Sequence, residues 1–497
     1  TLGPNEVILR RRRFIERVTA RKLELASEQE KVYEAMHPHV RSVMTGKATL
    51  IMKELAEEVD FKDTQLMEDM VKGFEVIGEL PDCAEYPYEK VEATMSVEDL
   101  ATVAKWAQHA VIGHLRKQDK YKSEVLDSCM EEAKPGGTLL GPYGKEEVDA
   151  MFGGCWVPVP RFGIDQGKVR MIDDASVFMQ NSTVTRKYKL VLSGIDKLIA
   201  VAKAWLSAIG ENRWVKVRMP DGKVLSAPLH PDWSLEEVRD IVGKLLDLKN
   251  AYKQFASRPD QMYATVIAAM DKDSDEVKYF LPLTLLFGEV AAVYGFNRPS
   301  KLFEKIATRL CLLVCTSYFD DYCQVEAAKL AQSAEFTLKS LFNVLGVDIA
   351  LTEKKDKPFA KTFEPLGVKV DFSGSTKGVI RLMPKESRVE GVSEEVRGYL
   401  DKGSMRGVDA NALGQRIRFL RETHFGRCGS KVLTDLMKHS RAAGAVSELS
   451  EELRSSLAWL IGFLPKAPPR EVRIGTTKRP VVVFTDGAAE GSVTVGG

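Results

Sequence analysis

From residue 5 to residue 75 apolar residues recur three and four apart, most clearly in "VRSVMTGKATLIMKELAEEV" and "DTQLMEDMVKGFEVIG", and this spacing predicts helices. The pattern breaks at "PDCAEYPYEK" and resumes at Ser96, where "SVEDLATVAKWAQHAVIGHLRKQ" opens on a capping-box signature. A Gly/Pro cluster, "KPGGTLLGPYGKEEV", ends that stretch. Short extended pieces follow in "CWVPVPRFGIDQGKVRMIDDASVFMQNSTV", then a helix in "GIDKLIAVAKAWLSAIG". Alternation around Pro220-Asp221-Gly222 predicts a hairpin in "RWVKVRMPDGKVLSAPL". Ser234 and Glu237 form a second capping box. Strand and helix then alternate from 244 to 375, closing on a short hairpin in "FEPLGVKVDFSG". Residues 384–463 read as helical, "LPKAPPREVRIGTTKRP" as a linker, and "VVVFTDGAAEGSVTV" as the opening strands of a further unit.

At 497 residues the chain exceeds what one core serves, and three or four subdomains are expected. Its 44% hydrophobic and 28% charged content is that of an ordinary soluble globular protein. No apolar run reaches the roughly eighteen residues of a membrane span, and no signal peptide is visible. Starting at Thr1 and stopping at "VTVGG", the chain reads as a fragment of a larger product. Its seven cysteines (83, 129, 155, 311, 315, 323 and 428) form no CxxC pair. That thin spread argues for reduced thiols in an intracellular setting, cytoplasm or nucleus, and against a zinc site. Net charge is only +1, yet residues 10–13 are "RRRR", and residues 402–441 hold nine Lys/Arg against three Asp/Glu. Such stretches suit selected faces that grip a phosphate backbone, or solvated helix faces.

Three short motifs carry candidate chemistry. In "KLLDLKNAYKQF" an apolar strand delivers Asp247 at its end, with Tyr252 five residues on; the aspartate either caps the next helix or serves a site. In "LPLTLLFGEVAAVYGFNRPSKLFEKIA" a Phe-Gly pair opens a helix of small residues, suited to close approach by a flat partner or to plain helix–sheet packing. In "LVCTSYFDDYCQVE" two adjacent aspartates separate two apolar runs. Asp320-Asp321 reads as a two-residue hairpin turn between strands 314–319 and 322–325, or as a pair of carboxylates at a hairpin tip that holds metal ions. Phosphoryl transfer uses two Mg²⁺ ions, which are hard and take carboxylate oxygen. Metal binding explains why like charges would stand together.

In this order, "DLKNAYKQ", "LLFGEVAAVYGF" and "YFDD" resemble the three core palm motifs of reverse transcriptases from retroelements, of LTR or DIRS type. "GKVRMIDD" resembles their fingers motif, "FEPLGVKVD" the Leu-Gly hairpin that grips the primer end, and "VVVFTDGAAEG" the first strand of the ribonuclease H domain that follows. The likeness covers roughly residues 135–430 and the terminal snippet. The fold it implies is α+β: a right-hand polymerase whose palm has an antiparallel sheet packed on helices. It comprises a helical N-terminal region of unassigned role (1–115), fingers (116–243), palm (244–375), thumb/connection (376–465), a linker (466–479) and a truncated start of ribonuclease H (480–497).

The function implied is RNA-directed DNA polymerisation. It uses an RNA or DNA template with a primer, deoxynucleoside triphosphates, and two Mg²⁺ ions, for which Mn²⁺ can substitute; no membrane is involved. Carried over residue by residue, the resemblance makes Asp247 and Asp320 the metal ligands, with Asp321 the neighbouring carboxylate of the same catalytic and metal site. Arg170 matches the arginine that contacts the triphosphate, with Lys168 as an auxiliary; Phe287 and Gly288 lie beneath the template–nucleotide pair, and Tyr252 gates the sugar. Gly367 belongs to the primer grip, and Arg416, Arg418, Arg421 and Arg427 are the arginines expected on the duplex backbone. The lysine that protonates pyrophosphate falls at Lys354 or Lys355.

The chain departs from the family where Ala292-Val293 replaces the usual Ala-Pro, in lacking the aspartic protease signature and any zinc knuckle, and in carrying only Asp486 of the ribonuclease H acids. Two rival readings exist. A viral RNA-dependent RNA polymerase shares the palm, but Phe319 and Tyr252 stand where that class usually has Gly and a polar residue. A decayed or domesticated copy would bind nucleic acid without catalysis, against which all three aspartates speak.

Overall fold

Pro4 starts the first helix, Pro4–Glu24, where its fixed φ suits the first turn and its missing N–H costs nothing. The computed structural model describes residues 1–475 apart from 118, 119, 166, 422, 424–427 and 443–445, together with 487–490 and 493–496. Helices and several small sheets make up two compact units, residues 1–201 with 229–366 and residues 202–228 with 367–497.

In the first unit, Arg11, Phe14, Ile15 and Val18 of the opening helix share one buried stripe at helical spacing. Arg11 is therefore neither a solvated residue nor a phosphate clamp. It pairs with the buried Glu326 and donates to the carbonyl of Leu312 at 2.8 Å. Arg17 and Arg21, also from this basic segment, pair with Glu58 and Glu54.

The helical run expected over residues 40–59 is two helices, Pro38–Met44 and Thr49–Glu58. The break lies at Gly46, whose φ is 95°. Its cause is tertiary: a Cβ on Gly346 would fall 2.0 Å from the Gly46 carbonyl oxygen, and Ala48 donates to Leu345 at 3.0 Å. The chain unwinds there to dock on the end of the Ala331–Leu345 helix.

One core joins these N-terminal helices to a three-stranded antiparallel sheet ordered Val314–Tyr318, Asp321–Ala327, Ile241–Asp247. Phe14, Met52, Phe74, Phe255, Phe296, Phe303 and Phe342 belong to that core, together with Leu246, Cys315 and Tyr322 of the sheet. The Val290–Arg309 helix runs through it and carries a buried arginine, Arg298, bonded to Asp63 at 2.6 Å and to Asp69.

The second sheet has five strands, ordered Leu139–Tyr143, Val277–Pro282, Val266–Met270, Pro158–Asp165, Val169–Asp173. The strand "VIAAM" is apolar throughout because both its faces are covered. Val266, Ala268 and Met270 pack with the Val97–Lys117 helix, while Ile267 and Ala269 pack with Lys122–Glu132.

In the second unit the hairpin expected around Asp221-Gly222 is present as Trp214–Arg218 paired with Val224–Pro228, and Gly222 has the positive φ of 83° that its turn requires. Four helices, Glu386–Lys402, Gly407–Arg421, Ser430–Ala442 and Glu451–Phe463, fill the stretch read as helical. Between them Ser404–Arg406 pairs with Val446–Glu448. Arg470–Arg473, inside the expected linker, is a strand paired with Val379–Leu382. Gly487–Glu490 pairs with Val493–Gly496; Asp486 lies outside the described residues. All seven cysteines are free, and among the described residues no helix is long and apolar enough to cross a membrane.

Candidate active site

The two central strands of the site meet one residue out of the expected register. Tyr318 pairs with Asp321, so the hairpin turn is Phe319-Asp320 rather than Asp320-Asp321, and Asp321 is the first residue of its strand. Phe319 takes a left-handed φ of 52°, and its carbonyl accepts from the Ser300 hydroxyl at 2.8 Å. That contact from the Val290–Arg309 helix fixes the turn. Asp321 consequently stands directly opposite Asp247 in the ladder. Asp320, one residue back, uses its carbonyl to accept from the Leu248 N–H at 3.1 Å.

The electrostatics follow from this crowding. Burial pushes the Asp321 carboxyl up to about 7, helped by the neighbouring charges of Asp320 and Asp247 and by a hydrogen bond with the Asp247 carboxyl; Lys355 opposes the shift. Burial also raises Asp320, with Asp247 adding to the rise and Lys355 and Arg170 working against it. Two carboxyls in contact cannot both hold full charge cheaply without a cation between them. Lys355 Nζ supplies one such charge, 2.8 Å from Asp247 Oδ2. Lys354 is exposed in the same turn. Among the described residues no three His, Cys, Asp or Glu side chains form a ready metal cage, so the touching Asp247–Asp321 pair, with Asp320 in electrostatic reach, is the acidic feature here.

Beside the carboxylates lies an aromatic floor. Tyr252 is buried, with its ring 5.4 Å from Phe287 and 4.8 Å from Phe296. Burial, and then the charge of Asp320, raise its phenol above the ordinary value. Phe287 is 55% exposed and so presents a free apolar surface next to a sealed one. Gly288 has a φ of 130°, and a Cβ there would sit 1.9 Å from the Asp173 carbonyl oxygen, so no other residue fits. Asp173 N–H in turn donates to the Phe287 carbonyl at 3.1 Å. This joins the Phe-Gly loop to the end of the strand that carries Arg170, which is exposed and reaches Asp320 electrostatically. Lys168 is exposed beside the start of that strand.

Several supporting residues were not singled out by their sequence pattern. Asn181 donates to the Gly288 carbonyl at 3.1 Å and to Ser176 at 2.9 Å, and accepts from the Val290 N–H at 2.8 Å. Arg161 is buried against Asp173 at 2.7 Å and against Glu132 at 3.3 Å, and Glu132 also meets Lys253, the neighbour of Tyr252. The one signal available was a charged residue inside the apolar strand "VPVPRF". Lys244, inside "IVGKLLD", gives the same signal. Glu289 is 2% exposed and lacks a hydrogen-bond partner at Oε1; burial, and less strongly the charge of Asp173, push its carboxyl up to about 8.

The remaining expected residues belong to the second unit. Gly367 has a φ of 78°, and a Cβ on it would meet the Arg388 guanidinium at 2.3 Å; that guanidinium lies 4.3 Å over the Phe419 ring. On the Gly407–Arg421 helix, Ala410, Leu413, Ile417 and Leu420 are buried, which leaves Arg416 and Arg418 on the exposed side. Arg416 pairs with Glu395, while Arg421 is half-buried and donates to Ser430 at 2.9 Å. Arg427 lies outside the described residues.

No protein-family model matches the chain, and no curated protein matches it. Among solved structures, a foamy viral protease-reverse transcriptase in complex with double-stranded DNA is similar at a TM-score of 0.44 and 12% identity. The similarity covers 84% of this chain and 60% of that one, so this chain spans less than two thirds of that structure.

Proposed function

We propose that this chain is an RNA-directed DNA polymerase of a retroelement, extending a primer 3′ hydroxyl on an RNA or DNA template. The observation that carries the reading is the meeting of Asp247 and Asp321 across an antiparallel ladder, one at a strand end and one at a hairpin tip, with Lys355 on Asp247. The donor set fits hard divalent cations: oxygen ligands only, two of them in contact, with burial and neighbouring like charge raising Asp320 and Asp321. Asp247, Asp321 and Asp320 would hold Mg²⁺. Such ions, when bound, lower the pKa of the attacking hydroxyl and neutralise charge on the phosphates.

The chain's own groups account for the rest. The primer 3′ oxygen forms a bond to the α-phosphorus as the bond to the bridging oxygen breaks, and the primer hydroxyl gives its proton to solvent water. Pyrophosphate leaves and takes a proton from Lys355, which stands at the carboxylates where Lys354 does not. Arg170 balances triphosphate charge, with Lys168 as auxiliary. The Tyr252 ring, packed on Phe287 and Phe296, leaves no room for a 2′ hydroxyl on the incoming sugar. Exposed Phe287 offers an apolar face to a base pair, on a loop that Gly288 holds against the Asp173 carbonyl, and exposed Arg416 and Arg418 offer sequence-blind phosphate contacts.

The test is primer extension by the purified full chain with Mg²⁺, comparing RNA and DNA templates and dNTPs with NTPs. Templated DNA synthesis on RNA is expected. Nucleic-acid binding without any extension would leave the chain a binding protein and defeat the proposal.

A further inference from the structure

The Ile241–Asp247 strand borders its sheet, and a loop is stitched along its free edge. At one end Ala350 donates to the Asp247 carbonyl and Lys249 to the Asp348 carbonyl, both at 2.9 Å. At the other end Gly243 and Ala360 exchange hydrogen bonds at 2.9 and 3.0 Å. The loop side is longer than the strand it follows, so residues 351–358 bulge outward. They turn at Thr352, whose carbonyl accepts from both Lys355 and Asp356 at 2.8 Å. Backbone bonds at its two ends do not decide where the tip of such a bulge points.

A buried ammonium supplies that decision. The Lys244 side chain is fully buried, and its Nζ donates to Asp356 Oδ1 at 2.8 Å, to the Lys357 carbonyl at 2.6 Å and to Glu335 Oε1 at 3.1 Å. Three donors meet three acceptors, so the ammonium is saturated. Lys339 closes the cluster from outside, 2.7 Å from Glu335 and 2.6 Å from Asp356. Lys244 and Asp247 are three residues apart on one strand and point to opposite faces. The loop therefore wraps the strand edge. Asp356 and Lys357 are held on the helix-covered face, and Lys355, the residue before them, is delivered to Asp247 on the other. Replacing a buried ion cluster by apolar groups often costs little stability, so the geometry it fixes is its main consequence.

We infer that Lys244 is a positioning residue, which clamps the 351–358 loop through Asp356 and Lys357 so that the Lys355 ammonium stands at the Asp247 carboxylate. This rests on the polymerase reading above for its effect on rate, but not for its effect on the loop.

Single-nucleotide incorporation by the full chain, on an RNA template and DNA primer with Mg²⁺, tests the rate. Lys355→Gln is expected to lower the rate at saturating dNTP by about 10²-fold, as loss of a general acid does. Lys244→Met is expected to lower it about tenfold or more by misplacing that group, with the half-saturating dNTP concentration unchanged. Added to Lys355→Gln, Lys244→Met is expected to change the rate by no more than about twofold, because the two act through one group. Asp356→Ala should reproduce the same cycle from the loop side and serves if Lys244→Met does not fold. Independent losses in the double variant, or a wild-type rate in Lys244→Met and Asp356→Ala, would overturn the inference. Tryptic cleavage after Lys354 and Lys355, followed by mass spectrometry, reads the loop without activity and should quicken severalfold in both variants. If the wild type incorporates no nucleotide the polymerase reading falls, whereas unchanged cleavage defeats the clamp itself.

Discussion

Inside the first unit, Arg11 meets Glu326, Arg161 meets Asp173, Arg298 meets Asp63 and Asp69, and Lys244 meets Glu335 and Asp356. In the second, the helices meet through Val396, Leu413, Leu453, Leu457 and Leu460, a buried Asp435 is answered by Ser456 and Lys431, and Arg416 and Arg418 stay outside. Both interiors bury ample apolar surface, so ion pairs are not needed merely to close a core. Apart from Arg161–Asp173, which bridges one hairpin, each pair in the first unit ties together segments far apart in sequence, and several end beside the carboxylates or the aromatic floor. A hydrophobic contact tolerates small slips; a hydrogen-bonded ion pair in a dry interior does not. The unit that holds the candidate site has its geometry fixed by charge, and the other packs by shape.

The contrast is broken most directly at Arg298. Arg298→Met strands two buried carboxylates, and breaking such a pair costs about 3–5 kcal/mol. Arg416→Ala removes an exposed pair and is expected to cost no more than about 1 kcal/mol. Urea titration followed by hydrogen exchange in peptides from each unit checks both; equal losses would dissolve the contrast.

Tyr252→Ala comes next. If the buried ring limits sugar size, the variant's preference for dGTP over GTP falls, whereas Tyr252→Phe keeps the ratio. Tyr252→Ala also costs stability of about 3–5 kcal/mol, as large core truncations do. A reduced rate with both sugars and an unchanged ratio would make Tyr252 a core aromatic only.

A smaller effect is expected at Glu289. Its folded value of about 8 lies above the ordinary 4.5, so the native state favours the neutral form. The stability this brings is complete below pH 4.5 and is lost as pH rises through about 8. Glu289→Gln should leave the melting temperature near that of wild type at pH 4.5 and raise it by a few degrees at pH 9. A difference that does not grow with pH would refute the buried carboxyl.

Arg418→Ala should be the mildest change. Duplex binding is expected to weaken alike for all sequences, with the salt slope falling by about one, and folding is expected to stay as it was. An unchanged slope removes Arg418 from the phosphate contacts.

Where local chemistry decided the structure, the sequence could be read. The Asp221-Gly222 hairpin needed only a turn glycine between alternating strands, and the Ser234 cap needed only Glu237, whose backbone N–H donates to Ser234 at 3.0 Å. The order of the three carboxylate-bearing and glycine motifs was also legible. Register was not: Asp321 rather than Asp320 enters the ladder because Ser300, on another element, holds Phe319 in a left-handed turn. That Lys355 is the lysine paired with Asp247 was likewise not legible, because the loop is aimed from the far side of a strand. Lys244 and Arg161 were visible as charges in apolar runs, but their partners lie on other elements, as Glu335, Asp356 and Glu132 show. Local spacing carries no record of such contacts.

We propose that nucleotidyl transfer takes place at the Asp247–Asp321 carboxylate pair. Single-turnover incorporation of one dNTP opposite an RNA template, by wild type and by Asp247→Asn, tests it most directly, with circular dichroism to establish that both are folded. Asparagine keeps the shape and loses the charge that a divalent cation requires. Mg²⁺-dependent incorporation is expected of wild type, and a loss of several orders of magnitude in the folded variant. Incorporation by Asp247→Asn at the wild-type rate would contradict it.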